Sequence, residues 1–94
     1  MRKKRVGWNG PSERLPDAFW MSKQKGERTI AAVCEVWTHP FGWELRLIIG
    51  GHRMQMTSVV QSDGEMHATV ETWKARMLEK GWHASTGESG GAGL

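Results

Sequence analysis

The stretch VWTHPFGWELRLIIGGHRMQM, from Val36 to Met56, decides the fold because it alternates strand-forming and turn-forming residues. HPFG at 39–42 and the Gly-Gly pair at 50–51 are typical hairpin turns. The flanking segments are rich in β-branched, aromatic and other apolar residues. We therefore predict a three-stranded antiparallel meander with strands at about 29–38, 43–49 and 53–60.

Each of the two turns fixes the register of one pair of strands, so the two registers can be compared for consistency. A four-residue loop at 39–42 places Thr38 opposite Trp43, and a two-residue Gly-Gly turn places Leu47 opposite Met54. Both registers put the same residues of the central strand on one side, and nearly all of their partners are apolar. The predicted buried side consists of Ala32, Cys34, Val36, Trp43, Leu45, Leu47, Met54 and Met56. The other side, the open face, would carry Val33, Glu35, Trp37, Glu44, Arg46, Ile48, Arg53, Gln55 and Thr57, with Glu35 opposite Arg46 as an ion pair.

A helix is predicted to follow the third strand. Ser62 and Glu65 have the spacing of a capping box, which marks a helix start. Met66, Val70, Trp73 and Met77 then recur at helical spacing and form one apolar stripe. Gly81 followed by Trp82 is typical of a Schellman cap. The helix, at about 63–80, would pack on the buried side, so the expected fold class is α+β with the order β-β-β-α.

The two ends of the chain differ from this core. Residues 1–28 are expected to be a basic, largely irregular leader in which Pro16 opens and Gly26 closes a short helix at 16–25. Residues 29–82 would form the βββα domain. The segment 83–94 is rich in Gly and Ser and is expected to be a disordered tail.

Composition excludes several classes of protein. A single cysteine among 94 residues cannot form an internal disulfide. No apolar run approaches the roughly 20 residues of a membrane-spanning helix, and the basic start has no apolar run behind it. We expect a cytoplasmic protein without membrane contact. Its small core suggests that it needs a partner.

Residue chemistry does not favour an enzyme, a metal site or a cofactor. His39 and His52 fall at opposite ends of one strand, about 20 Å apart at about 3.3 Å per residue, so they cannot share a metal ion. Cys34 falls among apolar residues, where a thiol is inert. If a catalytic site forms at an oligomer interface, His39, His67 and Asp63 would be the first candidates.

The open face supports a prediction about function. Because one helix covers only one face of a sheet, Val33, Trp37 and Ile48 would form an uncovered apolar patch, which proteins usually cover. The cover would be the leader through Trp8, Phe19 and Trp20, a second copy, or a protein partner. We predict a small accessory protein of bacterial type that forms a homodimer through this face or through an edge strand. Its binding residues would be Val33, Trp37, Arg46, Ile48, Arg53 and Gln55.

The alternative is a nucleic-acid-binding protein. Residues 1–28 contain eight basic and three acidic residues, a net charge of +5, whereas residues 29–94 contain five and seven, a net charge of −2. Phosphate contacts would come from Arg2, Lys3, Lys4 and Arg5. The predicted order of elements, over about fifty residues, is similar in layout to plant AP2 domains and to the arm-binding domains of phage integrases. That similarity implies a sheet face lying in a DNA groove, although neither family's sequence motifs are present.

Overall fold

The computed structural model describes residues 11–85, which form one antiparallel sheet and one helix. The sheet has five strands in the order β4-β3-β2-β1-β5. The elements in chain order are β1 (Arg14–Lys25), β2 (Arg28–His39), β3 (Gly42–Ile49), β4 (Arg53–Val60), α1 (Asp63–Glu79) and β5 (His83–Ser85). The α+β class and the C-terminal helix are confirmed, and the three-stranded meander is wrong.

Strand β1 occupies the segment for which a short helix at 16–25 was predicted. It pairs with β2 along its length and ends in a hairpin in which Lys25 faces Arg28. Gly26 has φ of +65°, which the first central residue of a two-residue hairpin turn requires. Pro16 lies in a bulge between Leu15 and Phe19, where its missing N–H breaks no regular ladder. A glycine with positive φ can end a helix or form a hairpin turn. Gly26 alone therefore could not show whether residues 16–25 form a helix or a strand.

The pairing of β2 with β3 follows the predicted register. Thr38 faces Trp43, and Cys34 faces Leu47. The pairing of β3 with β4 differs, because Ile49 faces Arg53 and the loop between them includes His52. A register shift between Leu47 and Ile48 then gives β4 one extra residue near its start.

The longer loop and the register shift together move three residues of β4 from their predicted places. Leu47 faces Met56 instead of Met54. The Met54 side chain is 52% exposed, so its assignment to the core is wrong. Arg53 and Gln55 also leave the open face. The physical reason is the three-residue loop at 50–52, which turns Arg53 and Met54 to the opposite faces from those that a two-residue turn predicts. The bulge at Gln55 then restores the predicted face for Met56.

The core lies between one face of the sheet and α1. Val70, Trp73 and Met77 of the predicted helical stripe are buried, and Met66 packs against them. The sheet contributes Met21 from β1 and Val60 from β4 besides the predicted residues. Further buried members of this cluster are Phe19, Ala32, Cys34, Val36, Leu45, Leu47 and Trp82.

Both ends of α1 have the predicted caps. The Ser62 hydroxyl oxygen accepts a hydrogen bond from the Glu65 N–H at 3.1 Å, and the Glu65 carboxylate accepts one from the Gln61 N–H at 2.7 Å. At the other end the Trp82 N–H donates to the Met77 carbonyl oxygen at 3.0 Å, as in a Schellman motif. Trp82 is buried beside Met77 in the core cluster, and the chain continues into β5.

β5 pairs with β1 opposite Trp20, Met21 and Ser22. Residues 83–85 of the predicted tail are therefore strand, and the rest of that tail lies outside the described residues. Across residues 11–85, no helix has the length and apolar character needed to cross a membrane.

Candidate functional site

The open face of the sheet carries a connected set of polar and aromatic side chains. We call this set the open-face network; its members are Arg14, Asp17, Trp20, Glu35, Trp37, Glu44, Arg46 and Thr57. Three of them come from β1, which was predicted to belong to an irregular leader. The network therefore spans four strands instead of the predicted three.

The β1 side of the network is built around Asp17. Its carboxylate accepts hydrogen bonds from the Arg14 guanidinium at 2.9 Å and from the Trp20 Nε1–H at 3.0 Å. The hydrogen bond with Asp17 raises the pKa of Arg14. Arg14 also lies 3.4 Å from the Glu35 carboxylate, and so it joins β1 to β2. Asp17 lies in the bulge between Leu15 and Phe19.

The β3 side of the network is built around Arg46. Its guanidinium lies 4.4 Å from the centre of the Trp37 ring, within cation–π distance. It also donates to Glu44 at 2.9 Å, and Thr57 donates to the other Glu44 oxygen at 2.8 Å. The hydrogen bond from Arg46 lowers the pKa of Glu44. The Nε of Arg46 is buried and has no partner among the residues that the structure describes.

The cross-strand pair predicted between Glu35 and Arg46 is aligned but not formed. The two residues face each other in the ladder, as expected. Glu35 instead accepts from the Trp37 Nε1–H at 2.9 Å and lies near Arg14. Arg46 contacts its own-strand neighbour Glu44, two residues away on the same face. The prediction of this contact is wrong because β1 supplies a second arginine to the face.

The apolar patch predicted on the open face is less exposed than expected. Val33 and Ile48 are buried, and Trp37 is half-buried under Arg46. All three carboxylates of the network already accept hydrogen bonds from cations, ring N–H groups or a hydroxyl. Its three acidic and two basic groups leave the face slightly negative. A duplex-binding face should be clearly positive, and so these residues do not resemble DNA readers.

The two remaining predicted binding residues lie elsewhere. Gln55 lines a cleft on the helix side of the sheet with Met56 and Trp73. Arg53 lines a neighbouring depression with Ile30 and Ile49, both of which pack against the core. Their assignment to the open face is wrong, because the three-residue loop at 50–52 and the bulge at Gln55 change the register at the start of β4. Arg2, Lys3, Lys4 and Arg5 lie outside the described residues, and so does Trp8.

A second surface is the free edge of β4. This strand pairs with β3 on one side and, within residues 11–85, is the last strand of the sheet on the other. Residues 54–60, MQMTSVV, contain no charge and no proline. Met54 and Val59 are 52% and 43% exposed. The opposite edge is different, since β5 has three residues and β1 beyond it carries a proline-containing bulge.

Cys34 and His39 both lie where a structural role explains them. Cys34 is fully buried, so its predicted core position is confirmed, and burial raises its pKa to about 12. His39 Nδ1 accepts a hydrogen bond from the Phe41 N–H at 3.1 Å within the hairpin loop. Among residues 11–85, no group of three or more His, Cys, Asp or Glu side chains could hold a metal ion.

Sequence reasoning missed Arg14, Asp17 and Trp20 because it missed β1. The alternation of Phe19 and Met21 around Trp20, followed by a Lys-Gly-Glu-Arg turn, is a strand-and-hairpin signal that could have placed them. No protein-family model matches the chain, and neither the curated proteins nor the solved structures contain a match to it.

Proposed function

We propose that this protein is a small non-enzymatic interaction protein that self-associates through the edge of β4. The observation that carries the proposal is the uncharged segment at 54–60 on an edge strand, with Met54 and Val59 exposed. Natural proteins usually protect such an edge with lysine, proline or inward-pointing charge. The composition of the β4 edge supports a role in pairing.

The edge is better suited to self-association than the open face. Pairing there would satisfy backbone N–H and C=O groups that have no ladder partner on that side in the described part of the chain. The open-face network, in contrast, would have to be desolvated with its carboxylates already engaged, and desolvating charged groups is costly. The bulge near Gln55 leaves residues 56–60 as a regular strand available for pairing.

An antiparallel pair of β4 strands has a two-fold axis perpendicular to the sheet. The five strands of each copy would form one continuous sheet of ten, with both helices on the same side. Exposed Val59 would lie within the paired segment, because it belongs to the regular part of β4. A dimer of this kind also removes one of the two sheet edges.

The test is the molar mass in solution by light scattering coupled to size exclusion. We expect a dimer of about 21 kDa, twice the 10.6 kDa chain, that persists at high salt because its contacts are backbone hydrogen bonds and apolar side chains. Val59→Lys should give a monomer with an unchanged melting temperature, because an edge lysine opposes strand pairing. Leu78→Lys is the matched control, because Leu78 is also exposed but lies on α1.

Two results would contradict the proposal. One is a monomeric wild-type protein at the highest soluble concentration. The other is a dimer that resists Val59→Lys but dissociates with Trp37→Ser, which would assign self-association to the open face.

The second candidate function is electrostatic contact with nucleic acid through the basic segment that contains Arg2, Lys3, Lys4 and Arg5. The observation in its favour is the net charge of +5 in residues 1–28, against −2 in the rest of the chain. Contact of this kind would be largely independent of base sequence and strongly dependent on salt. The engagement of Arg46 with Glu44 and Trp37 argues against a reading role for the sheet face.

A further inference from the structure

The helix leaves one corner of the core face uncovered. α1 starts directly after β4, and its far end lies near β1, where the Lys23 Nζ is 5.9 Å from the centre of the Trp82 ring. The helix therefore crosses the sheet diagonally, and the corner next to the β3–β4 hairpin is not beneath it. The cleft in this corner has a volume of about 160 Å³. We call it the helix-side cleft.

The floor of the helix-side cleft is apolar and its rim is basic. Leu47, Ile49 and Met56 of the sheet and Trp73, Met77 and Trp82 of the helix region form the floor. Arg76 and Lys80 form the rim on the helix. A second depression, of about 260 Å³, shares Ile49 with the cleft and carries Arg28, His52 and Arg53. Among the described residues, neither lining contains an aspartate or a glutamate.

The cations around this corner are not engaged by acidic side chains. Within residues 11–85, none of the ion pairs involves Arg28, Arg53, Arg76 or Lys80. Arg76 and Lys80 complement the negative end of the helix dipole. That explanation does not extend to Arg28 and Arg53, which come from β2 and β4. In the described part of the chain, cations from three elements thus surround one apolar corner.

We propose that the helix-side cleft binds a short acidic peptide segment that inserts a large apolar side chain between flanking carboxylates. The volume is well below the roughly 300–1,000 Å³ of pockets that enclose a drug-sized ligand or cofactor, but it suits a single side chain. The rim cations are complementary to Asp and Glu on either side of that side chain. The proposal does not depend on self-association, because the cleft lies on the helix face of each copy.

The test is fluorescence anisotropy with a fluorescein-labelled peptide, EDFDELD, titrated with the full-length protein. We expect saturable binding that weakens about tenfold when Arg76→Gln and Lys80→Gln are combined, since two partly exposed ion pairs are removed. Both side chains are exposed, so the fold should survive, and melting curves verify this. Lys74→Gln is the matched control, because Lys74 lies on the same helix but contacts Glu71. It should change the affinity less than about twofold.

Two further probes separate the acidic peptide from other ligands. Replacing Phe and Leu of the peptide by Ser should weaken binding, because the apolar floor then has no partner. An oligo(dT) strand of equal charge should bind more weakly than the peptide. The Val59→Lys variant should bind the peptide like the wild type, which keeps this test separate from that of the dimer.

Four outcomes would overturn the proposal. They are no saturable peptide binding, an equal loss of affinity with Lys74→Gln, equal binding of the Ser-substituted peptide, and tighter binding of oligo(dT). The last would assign the basic corner to single-stranded nucleic acid instead of an acidic peptide.

Discussion

At the scale of single residues, the open face is organised by competition for carboxylates. Glu35 faces Arg46 in the ladder, yet its nearest donors are Arg14 and the Trp37 ring N–H. Arg46 forms its ion pair with Glu44, on its own strand. A cross-strand rule that considers two strands cannot anticipate a donor from a third. Each carboxylate has two donors as a result, which restrains the side chains and limits what the face can offer a ligand.

Glu44 is the residue whose titration should be measurable. The Arg46 hydrogen bond holds the pKa of Glu44 below its ordinary value of 4.5. A carboxylate with a lowered pKa stabilises the folded state above the ordinary value, and this contribution disappears as the pH falls through the folded-state pKa. We expect Glu44→Gln to lower the free energy of unfolding by about 0.5–1 kcal/mol at pH 7 and by almost nothing at pH 2–3. Thermal melts of both proteins across this pH range measure the difference.

The control for Glu44 is Glu71, which is paired with Lys74 at 3.7 Å but is more than half exposed. Glu71→Gln should change the stability at pH 7 by less than about 0.5 kcal/mol, because exposed pairs contribute little. A Glu44→Gln deficit that stays constant from pH 7 to pH 2–3 would contradict the assigned role of the Arg46 contact.

At the scale of elements, replacing the glycine at each end of α1 by alanine should have opposite effects on the stability of the protein. Gly81 has φ of +95°, so Gly81→Ala puts a Cβ into a strained conformation and should destabilise the protein by about 1 kcal/mol. Gly64 lies in the first turn of the helix, and a Cβ there would meet no atom within 4 Å beyond its chain neighbours and the backbone of its own helix. Gly64→Ala should stabilise the protein by about 0.5 kcal/mol, because glycine is a poor helix former. Urea denaturation of the two variants measures both changes.

Equal effects of the two alanines would show that Gly81 does not close the helix. The same would follow if Gly81→Asn, which tolerates positive φ better than Ala, were no more stable than Gly81→Ala. The hydrogen bond from the Trp82 N–H to the Met77 carbonyl oxygen depends on the backbone conformation at Gly81. A substitution that changes this conformation should therefore make Trp82 less buried.

The elements differ in how well the sequence predicted them. Strand β4 has its predicted bounds, and the other strands of the meander and the helix lie within a residue or so of theirs, because turn, cap and periodicity signals were local and agreed. Strand β1 was missed because Pro16 and the irregular Leu15–Phe19 segment break its alternation. Strand β5 has three residues and no signal of its own; only pairing with β1 makes it a strand.

The candidate site was predictable to the same extent. The open-face positions of Trp37 and Arg46 followed from alternation, which is a local property. The places of Arg53 and Gln55 did not, because neither the third loop residue, His52, nor the bulge that follows can be inferred from composition. The helix-side cleft depends on the crossing angle of α1, which is set by packing of the whole core.

At the scale of the whole molecule, the two proposed surfaces adjoin each other on β4, whose backbone edge would pair with a second copy while Gln55 and Met56 line the cleft on its helix side. The edge of β4 would join two copies, and the helix-side cleft lies on the helix face of each. Since a two-fold axis perpendicular to the sheet keeps both helix faces on one side, a dimer would present two clefts in the same direction. A partner with two acidic segments would then bind with avidity beyond that of one cleft.

The uneven charge of the chain supports one further prediction. The net charge of +5 in residues 1–28 should give salt-dependent binding to a mixed-sequence duplex DNA, because each neutralised phosphate releases counterions. Replacing Arg2, Lys3, Lys4 and Arg5 by Ser should abolish this binding at low salt. Variants that replace only one or two of the four should reduce the slope of log K against log salt by up to about 0.9 for each phosphate that is no longer neutralised.

The body supplies the control for the DNA experiment. Replacing Lys74 and Arg53 by Ser removes two cations from the described part of the chain and should change the slope much less. Light scattering on the same samples reports whether the dimer persists, since strand pairing at β4 does not depend on the basic segment. DNA binding that survives neutralisation of the four N-terminal cations but disappears with the body variants would assign nucleic acid to the sheet and helix surfaces. A dimer that dissociates when the segment is neutralised would instead make the basic segment part of the self-association surface, because strand pairing at β4 alone predicts no such dependence.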